Sequence, residues 1–163
     1  MNYLKLYLIS FFLFLPTTVI ADTYFNYGVG IFDSYANSLP VKTFSGGYRK
    51  FAYKSFFWQG EVGLWGDTAG QGRQSSGYSN FSLGAQVDTG IIVFRSSWGI
   101  CGITTPDSDL GGNFQFTQDF FIGFKDKFFS NQIGLVYKHI SSAGLESPNA
   151  GRDFLVLSIG LPW

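Results

Sequence analysis

Three residues near the C-terminal end of the chain are of the right types for hydrolytic chemistry. They are His139, Ser141 and Asp153, set within "KHISSAGLESPNAGRDF", Lys138 to Phe154. A serine hydroxyl becomes a nucleophile when an imidazole takes its proton and a carboxylate orients that imidazole. His139 is the only histidine of the chain, so it is the only imidazole on offer. The "SAG" stretch of Ser142, Ala143 and Gly144 follows directly, and its backbone N–H groups could face a developing oxyanion. All of this requires that the three side chains share one surface, which is a question about the elements that carry them.

Those elements read as β-strands. In "NFSLGAQVD", Phe81, Leu83, Ala85 and Val87 alternate with Asn80, Ser82, Gly84, Gln86 and Asp88, the period of two of a strand. The same alternation recurs around Phe25, Trp58, Ile92, Phe114, Ile133 and Leu155, and in blurred form from Val41 to Tyr53. Gln118 breaks the pattern in its segment, standing among the apolar residues Phe114, Phe116, Phe120 and Ile122. Eight strands result, each about ten residues long, the length that crosses a bilayer as a tilted strand. Short connections ("YKS", "DTG", "KDKFFS") alternate with long ones near 34–39, 66–77, 104–112 and 142–152. The expected fold is therefore all-β, an eight-stranded antiparallel transmembrane β-barrel with short periplasmic turns and long extracellular loops.

Composition supports the membrane. Of 163 residues 20% are aromatic and only 13% charged, against roughly 25% charged in an average domain. The faces opposite the apolar rows carry Gly, Ser, Gln and Asn rather than the Lys and Glu of a solvated surface, which argues against a soluble ligand-binding barrel. The chain ends in "LSIGLPW", a terminal aromatic like that of many outer-membrane barrels. Net charge is zero, leaving no basic footprint for nucleic acid. The one cysteine, Cys101, excludes an internal disulfide and a cysteine-rich metal site. Residues 1–21 read as a signal peptide: Lys5, an apolar run from Leu6 to Leu15, Pro16, then Val19 and Ala21 before the expected cut. The mature barrel is then 22–163, placed in the outer membrane of a Gram-negative-type cell.

On such a barrel Ile133, Leu135 and Tyr137 face lipid, and His139 and Ser141 continue their row. Asp153 continues the lipid-facing row of Leu155 to Trp163. Neighbouring strands lie about 4.8 Å apart, so the last hairpin brings Asp153 beside His139. The three polar groups gather on the outer wall at its extracellular end. Rim residues that simply meet water would look the same, because polar groups cost less near the interface. A reactive serine there would meet a substrate lying in the membrane itself, namely lipopolysaccharide.

The stretch "HISSAGLESPNAGRD" resembles the signature of the outer-membrane lipid A 3-O-deacylases of the PagL type. His139, Ser141, Ala143, Gly144, Pro148, Asn149, Gly151 and Asp153 match it in type and spacing. The resemblance implies an esterase that removes the acyl chain at position 3 of lipid A in the outer leaflet. His139 would be the base, Ser141 the nucleophile and Asp153 the orienting acid. Ser142, Ala143 and Gly144 would serve the oxyanion, and Pro148, Asn149 and Gly151 would support the loop. It implies no metal and no organic cofactor, and it is compatible with a homodimer. Two positions depart from the pattern: Ser142 stands where the family commonly has Asn, and Asp153 where it often has Glu. Glu146 competes as the acid but lies in the loop, and alternation turns Ser142 away from His139 as a rival nucleophile. The non-enzymatic alternative is a small outer-membrane barrel for adhesion or envelope stability.

Of the remaining polar residues, Glu61, Arg95, Gln115, Asp119 and Lys138 are expected inside the barrel as a buried network. Asp107 and Asp109 read as a solvated loop.

Overall fold

The computed structural model describes residues 21–32, 41–52, 55–67, 75–106, 110–128, 130–145 and 151–162. The expected signal segment up to residue 20, Asp107, Asp109, Glu146, Pro148, Asn149 and Trp163 lie outside the described residues.

Eight antiparallel strands close on themselves in sequence order. They are β1 (Ala21–Phe32), β2 (Val41–Phe51), β3 (Phe56–Asp67), β4 (Ser76–Asp88), β5 (Ile92–Ile103), β6 (Phe114–Lys125), β7 (Gln132–Ser141) and β8 (Arg152–Pro162). β1 pairs with β8 from Asp22↔Pro162 upward, with one irregularity between Gly30 and Phe32. Closure leaves no free sheet edge, which a membrane requires because lipid offers no hydrogen bonds to an unpaired backbone.

Alternation sorts the side chains as the sequence implies. Phe81, Leu83 and Val87 of β4 are exposed on the outer wall, while Asn80, Ser82 and Gln86 are buried inside. The blurred segment is a regular strand, with Val41, Thr43, Ser45 and Arg49 inside and Phe44 and Tyr48 outside. Its blur comes from the Gly46–Gly47 pair, where alternation has no side chain to show.

The interior is a paired polar core. Lys138 Nζ lies 3.1 Å from Glu61 Oε1 and 3.1 Å from Asp119 Oδ1. Tyr78 Oη donates to Glu61 Oε1 at 2.6 Å, and Tyr24 Oη donates to Oε2 at 3.1 Å. Both rings reach Glu61 over glycines. A Cβ at Gly63 would stand 2.5 Å from the Tyr78 ring, and one at Gly47 would stand 2.4 Å from the Tyr24 ring. Lower down, Arg49 Nη1 donates to Asp22 Oδ2 at 3.1 Å, and Arg95 donates to Gln132. Gln115 donates to the carbonyls of Leu110 and Gly112, both at 2.8 Å, tying part of the loop after β5 to the wall. The expected interior placement of Glu61, Arg95, Gln115, Asp119 and Lys138 is therefore what the fold has.

Candidate active site

The β7–β8 hairpin builds the site. Register pairs His139 directly with Asp153. His139 Nδ1 lies 2.7 Å from Asp153 Oδ1. A carboxylate can only accept, so Nδ1 is the donor of this bond, and in the neutral ring Nε2 is then the nitrogen with the lone pair. The pair is half-buried, with side-chain exposures of 34% for His139 and 21% for Asp153. Asp153 Oδ1 also accepts a hydrogen bond from Tyr137 Oη at 2.6 Å. Tyr137 pairs with Leu155, so it lies diagonally across from Asp153, within reach of a long side chain. The carboxylate is thus held from two sides on the outer wall.

Ser141 follows on the same outward row as His139, half-buried at the end of β7. Among the described residues, no hydrogen bond joins its hydroxyl to the imidazole. The sequence places Ser141 within hydrogen-bonding reach of His139; the structure gives the shared face but not the bond. Ser142 faces the other way and is fully enclosed, with its carbonyl accepting from Leu145 N at 3.0 Å. Alternation therefore separates the two serines as the sequence implies.

That hydrogen bond closes a turn over Ala143 and Gly144, with φ of 52° and 83°. Two successive left-handed residues are the signature of a type I′ turn. For Ala143 the conformation costs about 1–2 kcal/mol, because its Cβ crowds the following carbonyl. Gly151 closes the hairpin from the other side at φ 73°. A Cβ there would stand 2.9 Å from His139 Cε1 and 3.4 Å from Ser141 Cβ. Gly151 thus leaves the room in which the imidazole and the serine lie. Pro148 and Asn149 fall outside the described residues, as does the competing acid Glu146.

Sequence reasoning missed two features. Alternation marks Tyr137 only as a lipid-facing residue, yet its hydroxyl holds the Asp153 carboxylate. The signal available was its place on the His139 row, one step below the acid's partner. The other is the place of Gln118: its break in alternation shows in the sequence, but the register that sets it directly opposite His139 does not.

A closed eight-stranded barrel with an apolar outer wall is a small outer-membrane β-barrel, and here that wall carries an oriented histidine. The chain belongs to the lipid A 3-O-deacylase (PagL) family, whose model matches residues 42–162. No curated protein sequence matches it significantly. Among solved structures it is similar to the outer membrane enzyme PagL, with 18% identity and a TM-score of 0.69 over 87% of this chain and 99% of that one. It is also similar to Neisserial surface protein A, with 9% identity and a TM-score of 0.57 over 88% of this chain and 96% of that one. Ail, the attachment invasion locus protein of Yersinia pestis, matches with 10% identity and a TM-score of 0.54 over 89% and 97%. At these identities the likeness is one of fold. The family match carries the assignment to a class of outer-membrane hydrolases.

Proposed function

We propose that this barrel hydrolyses the 3-linked acyl ester of lipid A by a Ser–His–Asp mechanism on its outer wall. The observation that carries the reading is the 2.7 Å bond between His139 Nδ1 and Asp153. It orients the imidazole on a surface where an unpaired polar group would be costly.

In the first half-reaction His139 Nε2 takes the proton of Ser141 Oγ as the oxygen attacks the ester carbonyl. The carbonyl π bond opens, and its oxygen becomes the oxyanion. N–H groups of the turn over Ala143 and Gly144 face that charge. The enclosed Ser142 side chain leaves this residue only its amide for the same role. The tetrahedral adduct collapses, the bond from carbonyl carbon to sugar oxygen breaks, and the imidazolium returns its proton to the departing 3-hydroxyl. Water activated by His139 then cleaves the acyl–Ser141 ester, freeing the fatty acid and restoring the serine. Asp153, supported by Tyr137, stabilises the transient imidazolium. Because the site opens outward, the substrate reaches it within the outer leaflet and needs no passage through the filled interior.

The test is mass spectrometry of lipid A from cells producing the wild-type chain or Ser141→Ala. The reading expects loss of one 3-linked acyl chain with wild type only. Unchanged lipid A with a folded barrel in the outer membrane would return the chain to the non-enzymatic class.

A further inference from the structure

Among the described residues, Gln118 is a long polar side chain on the outer wall to which the barrel gives no hydrogen-bond partner. Gln118 lies on β6 among Phe114, Phe116, Phe120, Ile122 and Phe124, all exposed toward lipid. Of the described outward-facing strand positions it alone bears a carboxamide. Among the described residues that amide forms no hydrogen bond. Where lipid covers the wall such an amide has no partner, and the cost falls toward the rim. Its register is specific. Gln118 is the cross-strand partner of His139, and His139 is the partner of Asp153. The three therefore form one transverse row over β6, β7 and β8. Directly paired residues have Cβ atoms about 5 Å apart, so the carboxamide reaches the space in front of the imidazole. On the far side of Gln118 the row continues with Trp98, an exposed aromatic.

We infer that Gln118 is a substrate-positioning residue, and that its carboxamide hydrogen-bonds a group flanking the scissile ester that both donates and accepts. A hydroxyl on the acyl chain or an amide on the sugar has that chemistry, whereas a plain alkyl ester does not. This rests on the esterase reading above. A carboxamide can donate and accept at once, so it would fix the ester's rotation about the acyl chain as well as its depth. A Leu or Phe, which the pattern of β6 would favour, could fix neither.

The test compares purified wild-type barrel with Gln118→Met in detergent micelles, on lipid A and on a nitrophenyl ester of an unsubstituted fatty acid. Methionine has similar length and suits a lipid-facing site, and heat-modifiable migration on a gel confirms that the barrel is folded. The ratio of kcat/KM for lipid A to that for the plain ester should fall by about tenfold or more in Gln118→Met, mostly through KM. Analogues lacking either the acyl hydroxyl or the sugar amide identify the bonded group, because the correct one abolishes the difference between the two proteins. An unchanged ratio, whether from equal loss on both esters or from no loss, overturns the inference and leaves the esterase reading standing. A folded wild-type barrel that cleaves neither ester removes both.

Discussion

Lys138 and His139 are neighbours in sequence and belong to different parts of the molecule. Lys138 points inward, between Glu61 and Asp119, and its charge is answered on two sides. His139 points outward, is answered on one ring nitrogen by Asp153, and keeps the other nitrogen open. The inner cluster spends most of its bonding capacity on holding strands together, with Asn26 Oδ1 and Asn80 Nδ2 among the few interior atoms that form no hydrogen bond among the described residues. The outer one holds capacity in reserve, in Nε2, in the Ser141 hydroxyl and in the unbonded amide of Gln118. Buried, paired polar networks rigidify a fold. On the proposed function, the polar groups left partly unsatisfied on the lipid-facing wall are the ones that substrate completes. One strand carries both sets of side chains because they alternate.

The contrast can be broken from either face. The largest effect is expected for Ser141→Ala, which should lower ester hydrolysis by about 10⁴-fold or more while the barrel stays folded. Ser142→Ala, on the enclosed side, should not have that effect, and kinetics of the purified variants would separate them. Next comes the inner face. Lys138→Met leaves Glu61 and Asp119 buried without their cation, and should destabilise the barrel by about 3–5 kcal/mol. The gel-shift temperature should drop, while barrels that remain folded keep their activity. Gly151→Ala should come third. Its new Cβ meets His139 Cε1 at 2.9 Å, and displacing the imidazole should cost about 10²-fold in kcat. The smallest effect is expected for Tyr137→Phe. It removes one hydrogen bond to Asp153, about 1 kcal/mol, so a loss in kcat of about tenfold or less should appear. A Tyr137→Phe enzyme as impaired as Ser141→Ala would mean that the hydroxyl takes part in the chemistry directly.

Much of this was legible in the sequence because strands have a period of two. Alternation placed His139 and Ser141 on one face, put Ser142 and Lys138 on the other, and paired the last hairpin so that Asp153 meets His139. It also exposed Gln118 as an irregularity, but a single strand cannot say what lies opposite. That needed the β6–β7 register, which the turn geometry sets. The Tyr137–Asp153 bond was hidden for the same reason, since a diagonal contact depends on the pairing and on the side-chain rotamer together. The constraint at Gly151 was hidden differently. In the sequence it is one glycine in a loop, and only the approach of the imidazole shows why a side chain would not fit.

The most direct measurement of the central claim is covalent capture of the nucleophile. The purified barrel would be treated with a long-chain alkyl fluorophosphonate, which phosphonylates activated serines, and the modified peptide fragmented by mass spectrometry. The account predicts one adduct on Ser141 in the wild type, and its disappearance in His139→Ala. An adduct on Ser142, or labelling of Ser141 that persists without His139, would contradict it.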